Sequence, residues 1–464
     1  MTEAIASETL ARNLARKAVE LRLDTLPGDV VLRAKEAILD TVGVTLAGCR
    51  SDSADLLNDY VDFVGGCEQS SVLGRGKRSA APNAALVNAA MGHILDFDDV
   101  SWSCIGHPAV VTVFPALALG EIRNVPGREI ITAFVAGYEV MSCLGRGLVP
   151  SFNERGWHST ATLGCFGAAA SAAKVFGCDV QETTTALGMA SSLAAGVKGN
   201  MGTMTKHLQV GRAASAGVTA ALLAKNGFTS SENAIVGKDG FLRVFNGACD
   251  VDVMKRSFGA PFDLVDGGAI FKKWPSCYST HTCIEAVTAL AEEHDIRPDQ
   301  VKKIAIGGTP LVVDVLFYDE PRTGFEAKFS DHFSAAVSIA RRKASIAEFT
   351  DEVVNDPVIR ELMNKVDLFV DPELAKEGYA LSSEEGPTRT RVRVTLNDGR
   401  SLFREVAIAK GAPQRRMSQS DLVEKFIDCA GPILGKEKVD RTLDRILNLE
   451  KLDSVSSLAE LLRT

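Results

Sequence analysis

The chain has 464 residues, 46% hydrophobic and 24% charged, with 51 basic against 59 acidic side chains and a net charge of −8. No basic tail or Lys/Arg stripe accompanies that balance, which argues against a nucleic-acid partner, and an anionic substrate would need its cations concentrated locally. The length exceeds what one compact core usually holds, so two structural domains are expected.

The opening residues, MTEAIASETLARNLARKAVEL, mix acids and bases and carry no apolar signal-peptide core. Val30, Ala34, Ile38, Val42 and Leu46 then recur every four positions, a helical spacing with Asp29 as its expected N-cap. Asn83 is the expected cap of AALVNAAMGHIL. There follows DFDDVSWSCIGHP, Asp96 to Pro108, with three carboxylates within four residues between apolar helix-like segments. Groups this costly to desolvate need partners: a metal, a histidine or water. Val100 to Gly120 lacks Asp, Glu, Lys and Arg, but Pro108, Pro115 and His107 speak against a membrane helix. Pro108 fits the first turn of a helix with His107 at its mouth.

His158, in RGWHSTATLG, precedes a run of small residues that starts another helix. An imidazole there feels the positive helix terminus, which favours its neutral, base-competent form. TATLGCFGAAASAAKVFG, ALGMASSLAAGV and GRAASAGVTAALLAKNG are rich in Ala, Gly and Ser, which lets helix backbones approach closely; Gly177 and Gly227 suit C-caps. Lys206 and His207 lie in GTMTKHLQVG, just before the last of these segments.

After about residue 265 the texture changes. VKKIAIGG alternates like a short strand, and TRTRVRVTL, NDGR and SLFREVAIA predict a hairpin whose turn residues tolerate positive φ. Helical pattern returns from SDLVEKFIDCA onward. The expected architecture is mainly α: a helical domain from residues 1–266 and 405–464, with an inserted α+β lid at 267–404. The lid's first segment, IFKKWPSCYSTH, carries Lys272, Lys273, Cys277 and His281. Cys277 and His281 share a face only if that segment is helical, and its Pro-Ser start opposes a helix, so packing or substrate contact is expected of the thiol rather than nucleophilic attack. Ten cysteines without a CxxC pair fit reduced thiols in a cytosolic protein and not a structural zinc site. Of seven histidines, only His294 reads as a simple surface residue.

Taken together, ILDTVGVTLAG, NAALVNAAMGHILDFDD, GHP, GWHSTATLGCFGAAA, GTMTKHLQVGRAASAG, KKWPSCYSTH and EAKFS resemble, in order, the motifs of the MmgE/PrpD family. That family includes 2-methylcitrate dehydratases, cis-aconitate decarboxylases and iminodisuccinate epimerases. The resemblance implies a helical domain with an α+β lid, a homodimer, a cytoplasmic setting, and a cleft that needs no metal or cofactor. It implies Asp96, His107, His158, Lys206 and Lys272 as catalytic residues. Lys206 and Lys272, with His207, Lys273, Cys277, Tyr278 and Lys328, are the implied contacts to a small di- or tricarboxylate. Asp96 is then expected to orient a catalytic histidine while Asp98 and Asp99 brace the loop; metal ligation by the acids with His107 is the alternative.

The implied chemistry is removal of a proton beside a carboxylate, which needs cations against the growing charge and a base of near-neutral pKa. Relative to the decarboxylase members, Val100 stands in place of a threonine, the spacing to His107 is one residue longer, Cys277 replaces a histidine and Phe333 a tyrosine. Several segments resemble the epimerases instead, so epimerisation of an iminodisuccinate-like substrate is the first expectation. Dehydration, with Tyr278 or a histidine as acid, and decarboxylation are the alternatives. A non-catalytic polycarboxylate-binding protein is the reading of another class; the Asp-supported histidines speak against it.

Overall fold

Alanine- and glycine-rich helices build the larger unit of the computed structural model, which describes residues 8–259, 261–377 and 386–464. Its first half runs α1 (Leu10–Glu20), α2 (Gly28–Gly48), α3 (Asp52–Val64), a small hairpin of β1 (Ser70–Val72) and β2 (Lys77–Ser79), then α4 (Ala81–Ile94), α5 (Pro108–Arg123) and α6 (Gly127–Arg146). Two single turns follow, α7 (Ser151–Glu154) and α8 (Ser159–Thr162). Then come α9 (Gly164–Phe176), α10 (Val180–Leu193) and α11 (Thr205–Lys225), with short α12 (Phe241–Phe245) and α13 (Val251–Ser257).

The small residues do what their composition predicts. A Cβ at Gly211 of α11 would sit 2.4 Å from the Leu86 carbonyl oxygen of α4, and one at Gly217 2.4 Å from the Ala168 backbone of α9. Only glycine lets α11 lie this closely on both neighbours, and that contact brings the first turn of α11 to the C-terminal end of α4. Gly177 and Gly227, at φ 73° and 87°, follow the ends of α9 and α11 as expected.

Two expected caps are displaced by prolines. Helix α2 begins at Gly28 after Pro27, so Asp29 lies in the first turn and accepts from the Val30 amide at 2.9 Å. Helix α4 begins at Ala81 with Pro82 in its first turn, which puts Asn83 inside the helix, donating to the Gly65 carbonyl.

The smaller unit begins with α14 (His281–Glu293) and β3 (Val301–Gly308). A crossover of α15 (Pro310–Val315), α16 (Gly324–Ala327), α17 (Asp331–Arg341), α18 (Asp351–Val354) and α19 (Pro357–Met363) leads to β4 (Val366–Val370). The hairpin β5 (Thr390–Leu396) and β6 (Ser401–Val406) completes a sheet of order β4-β3-β5-β6. β3 and β4 are parallel; β3–β5 and β5–β6 are antiparallel, with Ile304 opposite Val394 and Thr390 opposite Val406. Strand β3 and the hairpin match their sequence patterns. Strand β4 went unread because it lies at the sheet edge and is half exposed, which blurs its alternation. β6 continues to Val406, so the expected boundary at 404 falls inside it.

Two large, separate cores result, with smaller clusters beside them. One joins Leu14, Ile38, Phe114, Phe134 and Phe166 to Phe426, Ile446 and Leu458 from the chain's other end. The other joins Ile284, Val287 and Val337 to Ile304, Ile306, Val392 and Val394 of the sheet. The C-terminal helices α20 (Gln419–Leu434), α21 (Lys436–Leu447) and α22 (Ser456–Arg463) thus return to the first unit, with the Phe426 ring against Gly43 of α2. The architecture is mainly α, a helical unit built from both chain ends with an inserted α+β unit. Among the described residues no helix is long and apolar enough to cross a membrane.

Candidate active site

Just beyond the end of α4 the chain turns through Asp96 in a left-handed conformation (φ 51°), one that Asp tolerates better than most side chains. The acidic loop that follows is tied to the segment carrying Lys272 by a two-way backbone pair, Val100 to Ile270 at 2.9 and 2.8 Å. That tie brings charges together from distant parts of the chain. Lys272 Nζ donates to the carboxylate of Asp96 at 2.8 Å and to its backbone carbonyl at 2.9 Å. Lys206 Nζ, from the first turn of α11, lies 3.2 Å from the same carboxylate oxygen. Lys206 also donates to Nε2 of His93 at 2.7 Å, and His93 Nδ1 meets Asp98 Oδ2 at 2.8 Å. His107, the N-cap of α5, has Nδ1 3.4 Å from Asp98 and Nε2 3.8 Å from Asp96.

One expectation changes here. The carboxylate nearest the imidazoles is that of Asp98, while Asp96 is held by two ammonium groups. Burial works to raise the Asp96 pKa, but Lys206 and Lys272, with His107 and His93, hold it well below the usual carboxylate range. Asp99 accepts from the Ala109 amide at 3.0 Å and so braces the start of α5; burial, then Asp98, pushes its carboxyl well above the ordinary range.

His158 precedes α8, with its Nδ1 3.0 Å from Gln209 Oε1 of α11 and its ring stacked 5.9 Å from that of His93. Burial and then Lys206 lower its pKa to about 4, with Gln209 opposing. Burial also takes His107 well below its ordinary value, against Asp98. Both imidazoles are therefore neutral near neutral pH.

Asp96, His107, His158, Lys206, Lys272, Cys277 and Tyr278 all line one cleft between the two units, about 760 Å³ including its mouth. The Lys206, Lys272, His107 and His158 side chains gather around Asp96; Val100, Ile105, Leu311, Val315 and Phe317 supply apolar wall, and Asn153, Thr160, Lys198 and Ser279 further polar lining. Such a site suits a small anion that also carries some apolar surface. The Cys277 thiol is raised by burial and by Asp96, so it stays protonated and a poor nucleophile.

Three expected contacts lie elsewhere. His207 is the helical neighbour of Lys206, about 100° around the axis, and packs against the Phe325 ring at 5.8 Å. Lys273 follows Lys272 in an extended segment, so it points the other way, over the Trp274 ring and along a separate groove. Lys328 is buried behind the wall, donating to the Pro275 carbonyl at 2.9 Å, while its own carbonyl accepts from the Cys277 amide at 2.9 Å; it braces the Cys277 loop. Phe333 is buried in the smaller unit's core against Phe349, away from the cleft, so that departure says nothing about substrate.

The sequence reading missed His93, Asp98 as a histidine partner, and Gln209. For His93 a signal was present, since it stands three residues before Asp96 within NAALVNAAMGHILDFDD. Nothing in the sequence marks Gln209. His93, Asp96, Asp98 and His107 bring ligand atoms within 4.8 Å of one another, a spacing compatible with a metal ion. A dication there would have to face Lys206 and Lys272, which already neutralise Asp96, so the set is better matched to an anion.

Comparison with known proteins gives the family. The MmgE/PrpD N-terminal domain matches residues 12–253 and the MmgE/PrpD C-terminal domain residues 274–451. A cis-aconitate decarboxylase of Mus musculus is 28% identical across 96% of this chain and 91% of its own length. The cis-aconitate decarboxylase of Homo sapiens is 28% identical across 98% of this chain and 95% of its own. That of Aspergillus terreus is 25% identical across 98% and 96%. These relatives are named for decarboxylation, whereas the sequence motifs pointed first to epimerisation.

Proposed function

The chain belongs to the MmgE/PrpD family, and on that footing we propose that it is an acid–base enzyme that breaks a bond at the carbon beside a carboxylate of a small di- or tricarboxylate. The observation that carries this reading is the sharing of one buried carboxylate, Asp96, by two lysines at the end of a cleft that two neutral imidazoles also line. Both ammonium groups meet at that one carboxylate oxygen, so a substrate carboxylate entering beside Asp96 would meet two cations. As the bond at the neighbouring carbon breaks, negative charge moves into that carboxylate, and Lys206 and Lys272 stabilise it in a water-poor cleft. His107 and His158 take and return the proton. Burial and then the lysines depress the histidines; a bound polyanion offsets the lysine part, so their pKa rises when proton transfer is required. The scheme uses no metal or organic cofactor, and the proposed setting is a cytoplasmic homodimer, with which ten free cysteines are consistent.

Two endings of this chemistry have support. Decarboxylation is favoured by the relatives and by the cleft's polarity: a carboxylate placed among Val100, Leu311 and Phe317 loses solvation and leaves more readily as carbon dioxide. Epimerisation is favoured by Val100 and Cys277, which line the cleft where the decarboxylase members resemble each other in carrying threonine and histidine. It needs only an acid and a base. Proton NMR in deuterated buffer with cis-aconitate, iminodisuccinate, 2-methylcitrate and citrate separates these outcomes. Carbon dioxide release supports decarboxylation, inverted configuration with one deuterium supports epimerisation, and water loss supports dehydration. Binding without turnover or exchange for all four would leave a passive binding protein and overturn the proposal.

A further inference from the structure

We infer that Gln209 is a positioning residue that fixes the tautomer of His158, making Nε2 of that imidazole the basic atom presented to the cleft. The inference deepens the reading above and rests on it for its functional meaning. Gln209 projects from α11, and its amide has two partners. Its Nε2 donates to the Val197 carbonyl at 3.2 Å, which leaves Oε1 facing His158 Nδ1 at 3.0 Å. A flipped amide would set Oε1 against the Val197 carbonyl, oxygen to oxygen, so the orientation is fixed by that second contact. An amide oxygen only accepts. The proton of a neutral His158 must then sit on Nδ1, and the lone pair is on Nε2.

The surroundings hold this arrangement in place. The His158 amide donates to the Gly196 carbonyl at 3.1 Å, Lys198 donates to the Gly156 carbonyl at 2.8 Å, and Trp157 pairs with Val197. Thus the segment that carries the histidine is zipped to the segment that orients Gln209. Gly196 has φ +135°, and a Cβ there would come within 2.7 Å of Gln209 Oε1. A side chain at 196 would therefore displace the amide from the imidazole.

The charged groups that act on His158 are Lys206 of α11 and Asp96 and Asp98 of the acidic loop, with the His93 ring of α4 stacked on it. None of them touches Nδ1; Gln209 does. His107 is set differently, with carboxylates of Asp98 and Asp96 at 3.4 and 3.8 Å and no amide partner. His158 thus has an amide oxygen that fixes its neutral tautomer, and His107 does not.

The test uses the full-length protein labelled with ¹⁵N-histidine, with His158→Asn to identify the resonance. The wild type should show His158 protonated at Nδ1 and bare at Nε2 near neutral pH, and Gln209→Leu should give a mixture of tautomers. With a turned-over substrate, Gln209→Leu should lower kcat about tenfold or more while KM stays within about twofold. Gln209→Glu keeps the acceptor and adds a charge, so it should restore most of kcat and move the acid limb of the pH–rate profile up by about one unit. A wild-type proton on Nε2, or an unchanged tautomer in Gln209→Leu, would overturn the inference. If the tautomer result holds while no polycarboxylate is turned over, the proposed reaction fails and this inference stands.

Discussion

Two buried carboxylates flank the same acidic loop, and each meets a buried lysine. Asp40 of α2 pairs with Lys425 of α20 at 2.7 Å, and Lys425 donates to the Phe97 carbonyl at 2.9 Å. One residue earlier, Lys272 pairs with Asp96 at 2.8 Å and donates to the Asp96 carbonyl at 2.9 Å. The loop is thus gripped by two lysines through consecutive carbonyls. The chemistry is the same, yet only one pair looks like a site. Asp40 and Lys425 are a closed one-to-one pair, with Asp40 fully buried and Lys425 3.8 Å from the Phe97 ring on the wall of the groove that Lys273 also lines. Asp96 has a second lysine and opens on the cleft. A buried ion pair by itself therefore marks nothing; a second lysine on the same carboxylate, beside imidazoles that line a cleft, does.

Substitutions can break or sharpen that contrast. The largest effect is expected at the open pair: Lys272→Met removes the substrate's cation and should lower kcat/KM about 10³-fold, or about 4 kcal/mol of transition-state stabilisation, in initial-rate measurements. Retention of more than a tenth of the activity would erase the difference between the clusters. At the closed pair the loss should be of stability instead. Lys425→Met strands the Asp40 carboxylate and should cost about 3 kcal/mol in urea denaturation, with kcat/KM of the folded enzyme within about threefold of wild type. Adding Asp40→Leu should recover that stability to within about 1 kcal/mol, since an apolar pair can replace a closed ion pair.

The smallest effect concerns a buried acid with no lysine. Glu139 of α6 accepts from the Gly259 and Leu264 amides, and burial together with Asp263 pushes its carboxyl up to about 8. The folded chain keeps this proton up to that pH while the unfolded chain releases it near the ordinary value of 4.5. The native state binds more protons in between, so this group's contribution to stability falls as pH rises from about 5 to 8. Glu139→Gln should flatten the dependence in denaturation series across that window. An unchanged slope would mean that the carboxylate is ionised and otherwise compensated.

Much of the fold was legible because its signals are local. Small residues gave close helix packing, alternation gave β3 and the β5–β6 hairpin, and Pro108 gave the start of α5. Local signals failed where two competed. Pro27 and Pro82 outweighed Asp29 and Asn83 in setting helix starts, and the edge position of β4 left it without a clear pattern. At the site, motif neighbours were overcounted: His207 and Lys273 sit beside true cleft residues in sequence but on the wrong side of a helix and an extended segment.

By itself the sequence determined the class of the fold and the chemical inventory: five ionisable residues, Asp96, His107, His158, Lys206 and Lys272, that reach one cleft. Their partners were decided only in three dimensions. Lys206 and His93 are 113 residues apart and Lys272 and Asp96 176 apart, and Gln209 meets His158 across a gap of 51. Electrostatic and hydrogen-bond energies depend on separations of a few ångströms, which spacing along the chain does not encode. Which acid serves a histidine, and which nitrogen carries its proton, follow from how the helices pack.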